Sequence, residues 1–160
     1  MIRKGWLIVM STILCTSLIA CNTGVTNTSN NSNTTKPKNT NSSTTEGTMQ
    51  MTVSDGTHEV IFQLNDSNAS KSLYAQLPLE IAVENYGGNE KIFYPQPLDT
   101  SNTPLLQSGS VGTLAYFAPW DDVVMYYSEC GAYSGLYVLG EAVSGAEYIS
   151  QLSGTLHLNK

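Results

Sequence analysis

The segment Gly112-Thr-Leu-Ala-Tyr-Phe-Ala-Pro-Trp-Asp-Asp-Val-Val-Met-Tyr-Tyr127 decides the fold of this chain. Two apolar runs, residues 113–117 and 123–127, flank a Pro-Trp-Asp-Asp turn. Both runs are rich in β-branched and aromatic residues, which fit a pleated, half-buried surface. The pattern therefore predicts a β-hairpin at the centre of a small barrel, with aromatic side chains that shape a pocket or a wall of the core.

The first twenty residues have the pattern of a secretory signal. Arg3 and Lys4 make the start positive, and residues 6–20 form an uncharged, mostly apolar run that is too short to span a bilayer comfortably. The run ends in Leu18-Ile-Ala-Cys21, which resembles the bacterial lipobox, whose cysteine receives diacylglycerol before cleavage. The alternative is an ordinary signal peptide followed by a chance cysteine. We expect residues 1–20 to be removed and Cys21 to anchor the protein by lipid alone, on the extracytoplasmic face of a bacterial cell membrane.

Residues 21–48 are predicted to form a disordered linker. Asn, Thr and Ser dominate this segment, and Val25 is the only large apolar residue among residues 22–47. Such a composition cannot bury enough apolar surface to offset the entropy cost of ordering the chain. As a flexible coil the segment would span roughly 25–30 Å, which lifts the following domain off the bilayer.

Residues 49–160 are predicted to form one mainly β domain. Asp55-Gly56 separates two strand-like runs and is a strong hairpin signal. Residues 79–84 alternate between apolar and polar side chains, as one half-buried strand does. Short helices are predicted over residues 69–76 and after Ser144, where a Glu three residues later has the spacing of a capping box.

Charge and composition exclude some partners. Residues 49–160 contain three lysines and twelve acidic residues, a net charge of −9 with the histidines neutral. A domain of that charge is repelled by nucleic acid and by anionic lipid head groups. We therefore expect no nucleic-acid partner and no membrane contact beyond the lipid anchor. Separately, we expect a monomer.

The cysteines allow no disulfide within the mature chain. Cys15 would leave with the signal peptide and Cys21 would carry the lipid, so Cys130 alone remains. No histidine or lysine lies close to Cys130 in sequence to lower its pKa. A small buried side chain is therefore favoured over a catalytic nucleophile.

A metal centre is not indicated either. Asp121, Asp122 and Glu129 match no calcium-loop spacing, and acids in turns ordinarily face water. His58 and His157 are too few for a zinc cluster. We expect no cofactor and no metal ion.

The order of predicted elements resembles the cyclophilin-like barrel, and most closely the small bacterial proteins of that fold. Two strands, a short helix, several strands, a second short helix and a last strand follow one another. The residues that carry the resemblance are structural glycines, prolines and aromatics, namely Leu77-Pro-Leu79, Gly88-Asn-Glu-Lys91 with Tyr94, Pro97-Leu98, Gly112 with Leu114 and Tyr116, residues 119–127, and residues 135–149. The resemblance covers nearly all of residues 49–160. It implies a closed β-barrel of about eight strands with two short helices.

The resemblance does not extend to prolyl isomerase chemistry. Cyclophilin isomerases place an arginine guanidinium at the prolyl amide, where it favours the twisted transition state by a hydrogen bond. The one arginine of this chain is Arg3, within the predicted signal peptide. Lysine is a poor substitute for the planar guanidinium fork. We therefore expect no efficient prolyl isomerisation and favour a protein that is not an enzyme.

The sequence favours a membrane-tethered binding module for a small molecule or an extended, proline-containing peptide. An aromatic-lined concavity is the usual form of such a site. For each candidate lining residue the alternative is a place in the core or on its rim; the candidates are Phe93, Tyr94, Tyr116, Phe117, Trp120, Tyr126 and Tyr133. Two other functions stay open, which are an extracytoplasmic peptidyl-prolyl isomerase or folding factor working without the arginine, and a purely structural surface protein.

Replacement of Cys21 tests the predicted anchor. Each buried CH₂ of an acyl chain contributes about 0.8 kcal/mol to membrane binding, so Cys21→Ala is expected to move the protein from the membrane fraction to the soluble fraction. Fractionation of cells expressing either form, with palmitate labelling, measures this. Cys15→Ala is the matched control and should leave both labelling and location unchanged. A Cys21→Ala protein that remains with the membrane would contradict the prediction.

Overall fold

The structure is a computed structural model that describes residues 48–160. The predicted signal peptide, the predicted lipidation site Cys21 and all but the last residue of the predicted linker lie outside the described residues. Within residues 48–160, no helix is both long enough and apolar enough to cross a membrane.

The described part of the chain is mainly β, as the sequence predicts. Most elements are strands. One short helix follows the second strand, and another precedes the last strand. The elements in chain order are β1 Gln50–Ser54, β2 Glu59–Leu64, α1 Asn68–Gln76, β3 Leu79–Ala82, β4 Glu84–Tyr86, β5 Glu90–Phe93, β6 Ser108–Gly109, β7 Thr113–Phe117, β8 Asp122–Tyr126, β9 Cys130–Gly131, β10 Leu136–Ser144, a 3₁₀ helix Ala146–Gln151, and β11 Thr155–Asn159.

Nine of these strands form one nearly closed, barrel-shaped sheet. Their order is β3-β11-β1-β2-β10-β7-β8-β5-β4, and every pairing in it is antiparallel. The two end strands, β3 and β4, are separated in sequence only by Val83, whose N–H donates to the carbonyl of Gly154 at 3.0 Å. The expectation of one strand over residues 79–84 is therefore wrong, because the chain leaves one end of the sheet and joins the other at Val83. The predicted cyclophilin-like barrel is confirmed.

The core of the barrel follows from the two-residue period of its strands. Successive side chains of a strand point to opposite faces, and on β1, β2, β7 and β11 the inward set is mainly apolar. The helix α1 and the 3₁₀ helix add Leu73 and Ile149 to the same core. The strand residues fully or almost fully buried there include Met51, Val53, Val60, Phe62, Phe93, Leu114, Tyr116, Val123, Met125, Leu156 and Leu158.

A second apolar cluster lies on the other face of β5, β7, β8 and β10. Every residue of β8 is buried, which requires cover on both faces of that strand. The cover comes from segments on either side of the hairpin, since Leu106 of the loop before β6 belongs to this second cluster and Cys130 of β9 packs against it. The cluster consists of Ile92, Leu106, Ala115, Val124, Tyr126 and Leu136. The central hairpin is therefore a wall between the barrel core and an outer layer.

The first helix agrees with its prediction. It spans Asn68–Gln76 and begins after Ser67, whose hydroxyl accepts a hydrogen bond from the N–H of Ser70 at 3.3 Å. A serine in that place satisfies one of the N–H groups left free at a helix start.

The second helix differs from its prediction. It is a single 3₁₀ segment, Ala146–Gln151, and it has no side-chain cap. Ser144 is the last residue of β10 and pairs with Ile61, so it stands too early to cap a helix. The residue that precedes the helix is Gly145, with φ of 74°, a conformation that favours glycine. The capping box expected from Ser144 and Glu147 is therefore absent.

Close packing between strands requires a glycine at position 140. Gly140 lies between β2 and β7, where it pairs with Leu64 on one side and Leu114 on the other. A Cβ atom added there would overlap the carbonyl oxygen of Gln63 and lie 2.9 Å from the Cα of Leu64. Both atoms belong to the backbone, so the strands themselves would have to separate.

Gly140→Ala is expected to lower the free energy of unfolding by about 2 kcal/mol, the usual scale for overpacking a tight site. Urea denaturation of the full chain in detergent measures the change. Gly88→Ala is the matched control, because a Cβ added at Gly88 meets nothing within 4 Å, and its effect should stay within about 0.5 kcal/mol. Equal stability of the two variants would contradict the packing argument.

Candidate functional site

An open pocket of about 540 Å³ lies on the outer face of the central hairpin. Its floor consists of buried residues of β8 and β10, namely Asp122, Val124, Tyr126 and Leu136. Its rim combines the exposed side chains of Tyr86, Trp120, Glu129 and Tyr133 with Asn89, Glu90, Phe117 and residues 130–132.

The antiparallel register brings these residues together. Phe117 of β7 pairs with Asp122 of β8, and Glu90 of β5 pairs with Tyr126. Directly opposed residues of neighbouring strands share a face of the sheet. Because Asp122, Val124 and Tyr126 are two residues apart, all three point to the pocket side of β8. The turn before β8 and the loop after it then supply the aromatic rim.

Four aromatic rings form a connected arc along the pocket. The ring of Trp120 meets Tyr86 with centroids 5.3 Å apart and Phe117 at 5.4 Å, and Phe117 in turn meets Tyr133 at 5.5 Å. All three contacts are edge-to-face, a geometry that aromatic quadrupoles favour. Trp120 is 50% exposed and Tyr133 is 67% exposed. These large aromatic side chains are therefore grouped at a surface hollow rather than in a packed core.

Asp122 is the most unusual group in the pocket. Its side chain is almost wholly buried, and its Oδ1 atom has no hydrogen-bond partner within residues 48–160. Burial disfavours the charged form of a carboxyl group. Burial is the main reason why the pKa of Asp122 rises to about 6, and the charge of Asp121 raises it further.

The pKa values of three titratable groups near Asp122 are raised as well. Burial first, and the charge of Asp122 second, raise the pKa of Glu90. Burial, together with the charge of Glu90, raises the pKa of the Tyr126 hydroxyl. Burial also raises the pKa of the Cys130 thiol, which lies beside that hydroxyl. The Cys130 thiol is therefore protonated at neutral pH and poorly suited to act as a nucleophile.

Four of the seven aromatic residues singled out from the sequence line this pocket. They are Phe117, Trp120, Tyr126 and Tyr133. Phe93 and Tyr116 lie in the barrel core instead, fully or almost fully buried. Tyr94 lies beyond the end of β5, is 46% exposed, and is not among the lining residues.

The period of the strands explains why Phe93 and Tyr116 are in the core. Both pair with Val123, so all three residues point into the barrel. The Tyr116 hydroxyl donates to Oδ1 of Asp121 at 2.6 Å and accepts from the N–H of Leu98 at 3.2 Å. Tyr116 thus holds the hairpin turn and the segment after β5 in place.

The sequence interpretation missed the polar half of the pocket. Acids of the Pro-Trp-Asp-Asp turn were expected to face water, and for Asp122 that expectation is wrong. The strand β8 begins at Asp122 rather than at Val123, so the Asp122 side chain joins the covered outer face. The spacing of Asp122, Val124 and Tyr126 shows in the sequence that they share one face of β8. It predicts that Asp122 is buried only if other segments are known to cover that face.

The pocket acids do not form a metal centre. Within residues 48–160, no three His, Cys, Asp or Glu side chains come together in a group that could hold a metal ion. The chemistry available in the pocket is therefore that of a carboxylate, further acids at its edge, and aromatic faces.

Comparison with known proteins concerns the fold. A family profile described as the Cyclophilin-like family matches residues 51–159. Among solved structures, the chain is similar to the solution structure of the hypothetical protein AF2241 from Archaeoglobus fulgidus, with a TM-score of 0.54 and 15% sequence identity over 70% of this chain and 94% of that one. At this identity the similarity shows the fold alone. No curated protein matches the chain.

Asp122→Asn tests the buried carboxyl group through the pH dependence of stability. A carboxyl group whose pKa is raised by folding stabilises the fold fully below its unfolded pKa, and that stability is lost as the pH rises through the folded pKa. Between about pH 4 and about pH 8, the native protein should therefore lose on the order of 2 kcal/mol relative to Asp122→Asn.

Urea denaturation at a series of pH values measures this difference. Work above about pH 4 avoids the opposite effect of Asp55, whose pKa is lowered to about 2, chiefly by a hydrogen bond from the His58 N–H. Glu129→Gln is the matched control, because it removes one charge from the exposed rim of the same pocket. Parallel stability curves for the native protein and Asp122→Asn would contradict the assignment.

Proposed function

The chain belongs to the cyclophilin-like family, and from that premise we propose that it is a membrane-anchored, extracytoplasmic binding module. Its ligand, a small molecule or an extended peptide that can contain proline, occupies the pocket on the outer face of the central hairpin. The lipid on Cys21 holds the domain at the cell surface, and the linker gives it reach. This anchoring rests on the sequence pattern of residues 1–21.

The observation that carries the proposal is the arc of Tyr86, Trp120, Phe117 and Tyr133 around an open hollow. The hollow measures about 540 Å³, and small-molecule sites commonly measure about 300–1,000 Å³. Apolar and aromatic walls with a few polar groups are typical of such sites. A purely structural surface protein would not need an aromatic arc open to solvent.

A second hollow gives a longer ligand room to extend. It shares Ala132 and Tyr133 with the first, and Leu105, Leu106, Gln107 and Ser134 complete its lining. Leu105 is 48% exposed, so this extension is apolar as well as open. An extended peptide would contact both hollows on either side of Tyr133, whereas a compact small molecule would fill the first one alone.

Binding is tested by the fluorescence of Trp120. Trp6 is the only other tryptophan, so in the full chain with Trp6→Phe every change in tryptophan emission reports on the pocket. Proline-containing tetrapeptides and a library of small metabolites are the probes. At least one probe is expected to change the emission saturably and to raise the melting temperature. No response from any probe would contradict the proposal.

Tyr133→Ala should weaken binding of the responding probe by about tenfold, through loss of an aromatic contact worth roughly 1 kcal/mol or more. The matched control is Tyr148→Ala, which removes a 40% exposed ring that does not line the pocket. Equal effects of the two variants would show that the probe binds elsewhere.

Efficient prolyl isomerisation is not expected, because the chain beyond its first twenty residues contains no arginine. A protease-coupled assay with a proline-containing peptide should show the uncatalysed rate, on the scale of tens to hundreds of seconds. A cyclophilin isomerase measured in parallel is the positive control. A robust rate enhancement by this protein would instead support the alternative of an extracytoplasmic isomerase or folding factor.

A further inference from the structure

We infer that the ligand of this pocket carries a positive charge on an apolar body, as an ammonium or guanidinium group attached to carbon does. The charged group would lie against Asp122, and its apolar part would contact the aromatic arc. This inference rests on the proposed function, because it names the chemical class of the ligand for the same pocket.

The first step is the unsatisfied carboxyl group. Asp122 is 2% exposed, lines the pocket, and leaves its Oδ1 atom without a hydrogen-bond partner in the described part of the chain. Buried polar groups are ordinarily paired, because an unpaired one costs free energy. A positively charged ligand group held against Asp122 on the pocket floor would offset this cost by its charge.

The second step is the sign of the surrounding charge. Glu90 and Glu129 also line the pocket, and the charge of Asp121, the residue before Asp122, acts on Asp122. Among the lining residues that the structure describes, none is Lys, Arg or His. An anionic ligand would meet repulsion from every charged group here, whereas a cation would be attracted by all of them.

The third step is the aromatic arc. Tryptophan and tyrosine rings attract cations to their faces when the charge lies within about 6 Å of the centroid. In residues 48–160 the one cation–π contact joins Lys160 to Tyr74, and neither residue lines the pocket. The rings of Tyr86, Trp120, Phe117 and Tyr133 are thus available to a cation from outside the described domain. A pocket lined by both a carboxylate and aromatic rings suits an organic cation, because such a cation has both charge and apolar surface.

Two matched pairs of probes test the inference and show whether the cation belongs to a free small molecule or to a peptide side chain. Choline and its neutral isostere 3,3-dimethylbutan-1-ol represent a free small molecule. The acetylated amides Ala-Lys-Pro-Ala and Ala-Gln-Pro-Ala represent a peptide side chain. Trp120 emission of the full chain with Trp6→Phe, in detergent at about pH 7.5, measures each affinity. In at least one pair the cation should bind about tenfold tighter than the neutral probe, as charge and cation–π attraction together allow.

The failures of the two proposals are distinguishable. The inference is overturned if a neutral probe, or the anion 3,3-dimethylbutyrate, binds saturably and at least as tightly as its cationic partner. In that case the proposed function still stands, because the pocket binds a ligand. The inference is also overturned, and the proposed function kept, if both cations bind weakly or not at all while a library compound without positive charge binds. No response to any probe overturns both proposals.

Asp122→Asn tests the role assigned to the carboxyl group. The preference for the cation should fall from about tenfold to less than about threefold, because the amide carries no charge. The variant should fold, since it removes a buried charge rather than a packed side chain. Glu147→Gln is the matched control, because it removes the same charge from an exposed site outside the pocket. An unchanged preference in Asp122→Asn overturns the inference.

Choline allows an independent check with pH, because its own charge is constant. The preference for choline over the neutral isostere should fall as the pH decreases from about 7.5 to about 5, through protonation of Asp122. The titratable groups that act together with Asp122 are Asp121 in the turn, Glu90 on β5, Tyr94 after β5, Tyr116 on β7, and Tyr126 on β8. The tyrosines are neutral in this range, so their contribution is constant. In Asp122→Asn the fall should be clearly smaller, with a remaining contribution from Glu90, whose pKa burial also raises, and a fall as steep as in the native protein overturns the inference.

Discussion

The register between β7 and β8 is the constraint on which this structure depends. With Tyr116 opposite Val123, and Phe117 opposite Asp122, the hairpin divides its side chains between two compartments. One set enters the barrel core and the other forms the floor of the pocket. A slip of one residue would exchange the two sets and place a carboxylate in the barrel. The burial of both faces therefore fixes the pairing more firmly than a strand with one wet face would.

Closure of the barrel determines where the remaining strands around the pocket lie. The end strands β3 and β4 are consecutive in the chain, with only Val83 between them, so the sheet is joined at its seam by a covalent link. A sheet joined in this way presents less open edge to other chains. The seam also determines where β5 lies, because β4 pairs with it and thereby brings Glu90 and Tyr86 to the side of β8. The pocket is thus a consequence of the closure as much as of the hairpin.

The sequence was sufficient to predict the barrel, but it predicted only some of the residues that line the pocket. Alternation, turn residues and aromatic runs predicted a mainly β barrel with a central hairpin, and the structure agrees. The same alternation did not tell which face of the hairpin points inward, so Phe93 and Tyr116 were grouped with Phe117 and Tyr126. That choice depends on the cover from Leu106, in the long loop before β6, and Cys130, in β9. No local pattern carries the information that a loop will return over a strand.

Asp122 shows how a local sequence rule can fail in the candidate pocket. Acids in turns ordinarily remain hydrated, yet this carboxyl group is almost wholly buried, and one of its oxygens has no partner among residues 48–160. An asparagine in its place could be neutral at every pH and would avoid the electrostatic cost, so stability alone does not favour aspartate here. Departures from the requirements of stability are expected where a group is kept for binding. The unfavourable burial of Asp122 is therefore a feature of the pocket that the stability of the barrel alone does not explain.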